Sequence, residues 1–386
     1  MWQAVLLAAG RSTRTYPLTA TRPKPLIPLL GRPLLEHLLL QLEGTVDEAI
    51  LVVGYRADAI RNQLGSRFRS LPLRYLEQRD PRGTADALLQ AAPLVEDRCL
   101  VLNGDDLYHR HDLRALTRHR TAILVTPVPD PQNRAVVSIV GDRVVDIVEK
   151  PTTAPPNSLA SVGGYSLERG SLDRLGDVSL SSRGELELPD FIQMLARESV
   201  VRYHRIERLW LPLTYAWDVL KATLFLLEKE ERARDFGVVL QSPEELLERQ
   251  DIRVGTHTAI EGPVLIGSGA TLGSFCRVSG PAVIAEGCTI GDHVELDRSV
   301  LFRGVRISDR ARVSHSVLGE RVQIGSRARL RADPPSGRAL EVELQGKWIP
   351  TALDRLGLVA GDEAEVPAGS NVPPGTLLAP DASWRR

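Results

Sequence analysis

Ala4-Val5-Leu6-Leu7-Ala8-Ala9-Gly10-Arg11-Ser12-Thr13-Arg14-Thr15-Tyr16-Pro17-Leu18-Thr19-Ala20-Thr21-Arg22-Pro23-Lys24-Pro25 is the stretch from which the rest of the chain can be read. Ala4 to Ala9 is continuously apolar, which predicts a strand buried on both faces and too short to cross a bilayer. Gly10 breaks the run, and a long loop of Ser, Thr, Arg and Pro follows. A strand that ends in a Gly-containing polar loop sets backbone N–H groups at the carboxyl edge of a sheet, where α/β folds bind ligands. Gly10 lets a ligand approach the backbone closely. Arg11, Arg14, Arg22 and Lys24 ask for an anion. Arg14 can grip phosphate oxygens through two N–H bonds, and Lys24 supplies a compact charge. Pro17, Pro23 and Pro25 stiffen the loop before any ligand arrives. The plain alternative is a basic surface loop. The interleaving of charged and rigid residues directly after a buried strand favours the anion site.

Composition sets the outer limits. At 386 residues the chain has room for two domains, and 43% apolar with 25% charged content is that of an ordinary soluble globular protein. A net charge of −1 gives no basis for nucleic acid or a membrane surface as partner. Cys99, Cys276 and Cys288 form neither a metal-ligand spacing nor a disulfide framework. No apolar run is long enough to span a bilayer, and no basic region precedes the N-terminal apolar run, so a cytoplasmic protein is expected. Only five of the 48 Lys and Arg residues are lysines, and Lys24 and Lys150 are two of them. Both fall in motifs, although chance gives the same count.

Residues 1–230 alternate strand and helix patterns. Strands are expected at 49–54, 71–76 and 99–102, and helices at 33–42, 57–64 and 85–92. Repeated βα units with short connections imply a Rossmann-like, mostly parallel sheet covered on both faces, with ligands at the carboxyl ends of its strands. Two further strand ends carry polar motifs. In Gln78-Arg79-Asp80-Pro81-Arg82-Gly83-Thr84, the Gln78 amide presents a donor beside an acceptor, a match for the edge of uracil or thymine. Gly83 and Thr84 open a helix and let base or ribose approach, or they are only a cap and turn. In Asn103-Gly104-Asp105-Asp106, Asp105 is placed to hold Mg²⁺ against a triphosphate, with Asp106 as the cap of the next helix. Beyond Thr121 the pattern becomes antiparallel, with strands at 122–128, 135–140 and 144–148 and a Gly141-Asp142 turn. That hairpin delivers Glu149-Lys150-Pro151, a second phosphate site or a strand-end ion pair. Ser161-Val162-Gly163-Gly164-Tyr165 reads as a strand with close backbone approach, Tyr215-Ala216-Trp217-Asp218 as a strand end, and 220–234 as one amphipathic helix.

Residues 231–250 read as a linker, and 251–386 as a second domain. From Val254 apolar residues recur at a six-residue step through Ile260, Ile266, Leu272, Val278, Ile284, Ile290 and Leu296. The rhythm continues through Leu301, Ile307, Val313, Leu318, Ile324 and Leu330, with two steps shortened to five. A hexapeptide period means three flat faces per coil, which is a left-handed parallel β-helix, expected to assemble as a homotrimer or higher homo-oligomer.

The opening stretch resembles the signature of sugar-1-phosphate nucleotidylyltransferases, Leu-Ala-Ala-Gly-x-Gly-Thr-Arg followed by Pro-Lys-Pro. Arg14 and Lys24 hold the two cationic positions, while Ser12 stands where the family has its second Gly. The resemblance implies that Leu7, Ala8, Ala9, Gly10, Gln78, Gly83 and Thr84 contact a nucleoside triphosphate. It also implies that Glu149, Lys150 and Gly163 contact a sugar-1-phosphate, that Asp105 and Asp218 hold Mg²⁺, and that Arg14 and Lys24 are catalytic. The implied reaction joins UTP or dTTP to glucose-1-phosphate or N-acetylglucosamine-1-phosphate. The Arg183-Gly184-Glu185-Leu186-Glu187-Leu188 stretch also resembles the family, and helix follows to 197.

With its β-helix the whole chain resembles the archaeal type of bifunctional uridylyltransferase/glucosamine-1-phosphate acetyltransferases, and its first domain the glucose-1-phosphate thymidylyltransferases. The acetyltransferase motifs depart: His315-Ser316-Val317-Leu318-Gly319 lacks the Tyr, and Gly325-Ser326-Arg327-Ala328 breaks the second motif. His315 is expected to be an exposed β-helix residue rather than a base, and added glucosamine-1-phosphate N-acetyltransferase activity in the β-helix, which the resemblance implies, stays as the alternative. Ser12, Ala135 and Leu220 each add bulk where the family has Gly. Altered sugar specificity, or a catalytically silent nucleotide-binding regulator, is the alternative these three positions leave open.

Overall fold

The computed structural model describes residues 1–334 and 339–385. It divides into two compact units: Met1–Arg11 with Leu34–Pro212, and Ser12–Pro33 with Leu213–Arg386.

The first unit is built on strand β1 (Trp2–Ala8), where Ala4, Val5 and Leu6 are fully buried. Its chain continues α1 (Leu34–Leu42), β2 (Glu48–Val53), α2 (Ala57–Leu64), β3 (Leu71–Glu77), α3 (Thr84–Ala91), β4 (Arg98–Asn103), β5 (Asp106–Tyr108) and α4 (Arg110–Leu116). β6 (Ala122–Pro127), β7 (Ala135–Val140), β8 (Arg143–Glu149), β9 (Leu159–Glu168), α5 (Leu188–Glu198), β10 (Arg202–Arg205) and β11 (Trp210–Pro212) complete it. β1 lies between β2 and β4 and is parallel to both, which is why its sequence is apolar on both faces. β3 extends the parallel half beyond β2. β9 runs antiparallel beside β4 and joins it to β6, and β7 and β8 form the expected hairpin. α2 buries only Ala57, Ile60 and Leu64, the single-sided pattern of a helix lying on a sheet.

Two expectations change in the second unit. β11 ends at Pro212, and Asp218 is not at a strand end but is the first residue of helix α6 (Asp218–Leu227). The expected single helix is two, α6 and α7 (Glu230–Asp235), followed by α8 (Pro243–Glu248) with a Ser242/Glu245 capping box.

The six-residue rhythm builds three six-stranded parallel sheets, and with them the left-handed β-helix. Corresponding residues such as Thr271 and Thr289 lie eighteen apart, whereas Thr289 and Arg306 lie seventeen apart. Both shortened steps end on the same face, at Leu301 and Leu318, so the other two faces keep their register. That face is apolar outward as well as inward: Val283, Val300, Val317 and Val359 are buried beside the inward Ile284, Leu301, Leu318 and Ala360. Helix α6 packs on it. A second face carries charge outward, with Arg277 bonded to Glu261 and Arg312 to Glu295, each at 3.0 Å. A hairpin of Glu341–Leu344 and Lys347–Pro350 is inserted before the coil resumes at Leu358–Ala360.

Candidate functional site

Parallel register brings four strand ends to one edge of the first unit. Leu7 is level with Val52 and Asn103, and Val53 with Glu77. The Gly104 N–H donates to Leu7 O at 2.9 Å, Tyr55 N–H to Ala9 O at 3.1 Å, and Gln78 N–H to Val53 O at 2.8 Å. Leu7, Ala8, Ala9, Gly10, Gln78 and Asp105 therefore emerge along this edge.

Gln78 departs from expectation in one respect. Its Nε2 donates to Asp86 Oδ2 at 2.6 Å and to Gly83 O at 3.3 Å, so both amide hydrogens are engaged within the protein. Asp86 also accepts from Gln90 at 2.8 Å. A carboxylate only accepts, so the amide is fixed with Oε1 as its remaining polar atom. Gly83 departs too. It has φ +122°, and a Cβ there would lie 2.2 Å from Leu186 O, so close backbone approach inside the protein already demands glycine. Thr84 Oγ1 accepts the Leu188 N–H at 3.0 Å and ties α3 to the start of α5.

Asp105 is half-buried in the turn between β4 and β5. Asp106 is not a helix cap: its Oδ2 accepts from Asn103 Nδ2 at 3.3 Å and Trp210 Nε1 at 3.2 Å, while His109 caps α4. Burial, then the charges of Asp106 and Asp105, push the Tyr108 hydroxyl well above its ordinary pKa, so it stays a donor, to Val162 O at 2.7 Å. On the hairpin, Glu149 Oε1 pairs with Lys150 Nζ and Arg183 Nη2, both at 3.2 Å, and Lys150 takes a left-handed φ of 45°. Gly163 has φ +73°, and a Cβ there would lie 2.1 Å from Asn103 Nδ2. Its expected role facing a sugar is thus preceded by a packing role against Asn103.

Arg14, Lys24 and Asp218 belong to the second unit. Ser12, at φ 49°, takes the left-handed backbone that favours glycine, and its carbonyl accepts from Thr15 N–H, Thr15 Oγ1 and Thr19 Oγ1. Arg14 follows, exposed and without a partner for its guanidinium among the described residues. Arg22 is anchored by the β-helix: Nη1 donates to Glu320 Oε1 at 3.0 Å, Nη2 to Asp362 Oδ2, and its guanidinium lies 5.4 Å over the Phe302 ring. Thr21 donates to the same Asp362 oxygen at 2.6 Å. Lys24 is buried in the turn that follows.

Asp218 Oδ2 accepts the N–H groups of Thr214 at 2.8 Å and Tyr215 at 2.7 Å, closing the turn into α6. Burial pushes its pKa up, opposed by those N–H groups and by the charges of Lys221 and Lys24. Among the described residues no group of three or more His, Cys, Asp or Glu forms a metal cage. Mg²⁺ needs none, since it takes one or two carboxylates and completes its shell with water and substrate phosphate. A desolvated carboxylate with one oxygen already held by backbone fits such a ligand.

A family model described as nucleotidyl transferase matches residues 3–229. The chain belongs to that family. A second model, the EIF2B subunit epsilon LbH domain, matches residues 244–335. The bifunctional protein GlmU of Methanocaldococcus jannaschii is 34% identical over 228 residues, 58% of this chain and 54% of that protein. The UTP–glucose-1-phosphate uridylyltransferase AglF of Haloferax volcanii is 30% identical over 243 residues, 60% of this chain and 100% of that protein. The chain spans 54% to 61% of the length of GlmU relatives such as these. A solved UDP-glucose pyrophosphorylase from Acinetobacter baumanii superposes with TM-score 0.53 at 24% identity, over 61% of this chain and 97% of that one, which shows the fold.

Four residues beside the motifs have structural roles that the sequence did not single out: Asp86, Asn103, Arg183 and Trp210. Asp86 lies in the first turn of the helix that Gly83-Thr84 opens, and Asn103 directly precedes Gly104-Asp105, so proximity was their signal. Arg183 lay inside a quoted stretch but carried no role; it bridges Glu149 and Glu187. The three bulky positions also resolve. Ala135 turns into the core, Leu220 is fully buried in α6, and Ser12 adopts the glycine-like backbone. His315 is buried, not exposed, with Nδ1 2.9 Å from Ser314 Oγ and 3.4 Å from Asp297 Oδ2. No helix among the described residues is long and apolar enough to cross a membrane.

Proposed function

We propose that this chain transfers a nucleotidyl group from UTP or dTTP to a hexose-1-phosphate, releasing pyrophosphate. A phosphate oxygen of the sugar-1-phosphate attacks the α-phosphorus in line. The bond between the α-phosphorus and its bridging oxygen breaks, and pyrophosphate leaves with the electron pair. The observation that carries this reading is the gathering of Gly10, Gln78 and Asp105 along one sheet edge, the polar edge of an otherwise buried parallel sheet.

Arg14 and Lys24 would hold the triphosphate and stabilise charge on the leaving group. Lys150 would bind the sugar phosphate, with Glu149 and Gly163 facing the sugar. Leu7, Ala8, Ala9, Gly83 and Thr84 would frame the nucleotide. Gln78 Oε1 would accept the N3–H of uracil or thymine, whereas cytosine and adenine carry a lone pair at the matching position and would be repelled. Asp105 and Asp218 would hold Mg²⁺, which supplies charge neutralisation at the α-phosphate when bound. Assembly as a homotrimer or higher homo-oligomer through the β-helix belongs to the same reading, and light scattering on the purified chain tests it.

The deciding assay is pyrophosphate release with Mg²⁺, crossing UTP, dTTP, GTP, ATP and CTP with glucose-1-phosphate, N-acetylglucosamine-1-phosphate and mannose-1-phosphate. Turnover with UTP or dTTP that D105N loses supports the reading. Nucleotide binding without turnover on any pair makes the chain a silent regulator instead.

A further inference from the structure

Arg134 stands at the head of β7, and its side chain is half-buried. Its guanidinium lies 5.2 Å over the indole of Trp210. Among the described residues it has neither an ion-pair partner nor a hydrogen bond, and its Nε is buried without a partner. Burying one guanidinium N–H without an acceptor costs free energy, and the two Nη groups remain available to an anion.

Its surroundings say where that acceptor would sit. The Arg134 carbonyl accepts the Lys150 N–H at 2.9 Å, and the next residue, Ala135, is level with Glu149. Trp210 donates through Nε1 to Asp106, Asp106 also holds Asn103, and Asn103 packs on Gly163. A continuous chain of contacts thus runs from Arg134 to Gly163, and a single hydrogen bond links Arg134 to Lys150. Strand alternation separates the neighbours: Ala135 enters the core, so Arg134 faces the other way.

We propose that Arg134 is a specificity residue for a sugar-1-phosphate carrying a second anionic group, a carboxylate or a phosphate distant from C1. The proposal rests on the nucleotidyl-transfer reading above. Lys150 takes the anomeric phosphate, and Arg134, held flat by Trp210, takes the second anion through its paired N–H groups.

The test compares glucose-1-phosphate, glucuronic acid-1-phosphate and glucose-1,6-bisphosphate, with UTP and Mg²⁺, on the full chain, R134Q, R134K and R98Q. Arg98 is the internal control, because it lies 5.7 Å over Trp2 at the opposite, amino-terminal end of the strands, also with a buried unpartnered Nε. Expected is a kcat/KM preference for one anionic sugar over the neutral one of roughly 10- to 100-fold, the size of a charge-assisted pair. R134Q should abolish that preference, R134K keep part of it and R98Q keep all of it. The better of the two anionic substrates tells carboxylate from phosphate. Turnover of glucose-1-phosphate with no anionic preference, or a preference that survives R134Q, overturns the proposal and leaves the transferase standing. If nothing turns over, the transferase reading falls. Calorimetric affinities for the same three sugars then decide on Arg134 by the same ratio.

Discussion

The outward charges of the β-helix and the Arg134 cation at the head of β7 in the first unit are handled in opposite ways. On the β-helix, Glu261 pairs with Arg277 and Glu295 with Arg312 along one face, and Arg321 pairs with Glu363 in the same unit. Along the sheet edge, Arg134 has no ionic partner among the described residues. The loop cation Arg14 likewise has none. A paired ladder is complete when the chain folds, whereas an unpaired cation still has donors to offer.

Substitutions can break that contrast. The largest effect is expected from D105N, which should lower pyrophosphate release by on the order of 10³-fold while thermal unfolding stays put. An equal loss of stability would make Asp105 structural. Next comes L301A in the β-helix core, where the side chain is fully buried; denaturant titration should register a loss of about 3 kcal/mol. R14Q should cost roughly 100-fold in turnover yet change stability by no more than about 0.5 kcal/mol, because the exposed guanidinium supports nothing in the fold. A stability loss as large as that of L301A would show that Arg14 is not poised for a ligand.

The β-helix offers a titration of its own. Burial holds His315 below its ordinary pKa of 6.5, against the opposing pull of Asp297. The unfolded chain therefore takes up this proton at a higher pH than the folded one. Stability should fall as pH drops from above 6.5 toward the depressed folded value, and H315Q should remove that slope. Unfolding free energies at pH 7.5 and pH 5 make the comparison, and equal slopes in both proteins would contradict it. Smallest of all is R277Q on the charged ladder, expected within about 0.5 kcal/mol of wild type and silent in the assay.

The fold was legible wherever a period or an unbroken apolar run dictated it. β1 announced its burial, and the six-residue rhythm announced the coils. The covered third face was also written, in doublets such as Val300-Leu301 and Val317-Leu318, but it shows only once inward and outward positions are assigned. The inserted hairpin at 341–350 has no place in the rhythm, so the period did not reveal it, although Leu344-Gln345-Gly346-Lys347 at its turn resembles the family's tail. In the candidate site, residue types were legible and orientations were not. Spacing related Gln78 to Gly83, yet which atom of the amide is left for a base depends on Asp86, eight residues on and in direct contact. Asp218 follows a turn that serves a strand end or a helix start equally well, and the N–H groups of Thr214 and Tyr215 decide it. Ala135 attracted notice as bulk in a pocket, while alternation hid that Arg134 is the one turned away from the core.

Arg22 is anchored by Asp362, 340 residues further along the chain. At a synthesis rate of 5–20 residues per second, about half a minute separates their emergence from the ribosome. During that interval the loop carrying Arg14 and Lys24 exists without its Asp362 anchor, and for most of it without Glu320 as well. A product released before residue 362 keeps every strand of the sheet and still lacks the Asp362 half of the clamp, which also holds Thr21. The opening loop thus reports whether synthesis has reached the coil that carries Asp362.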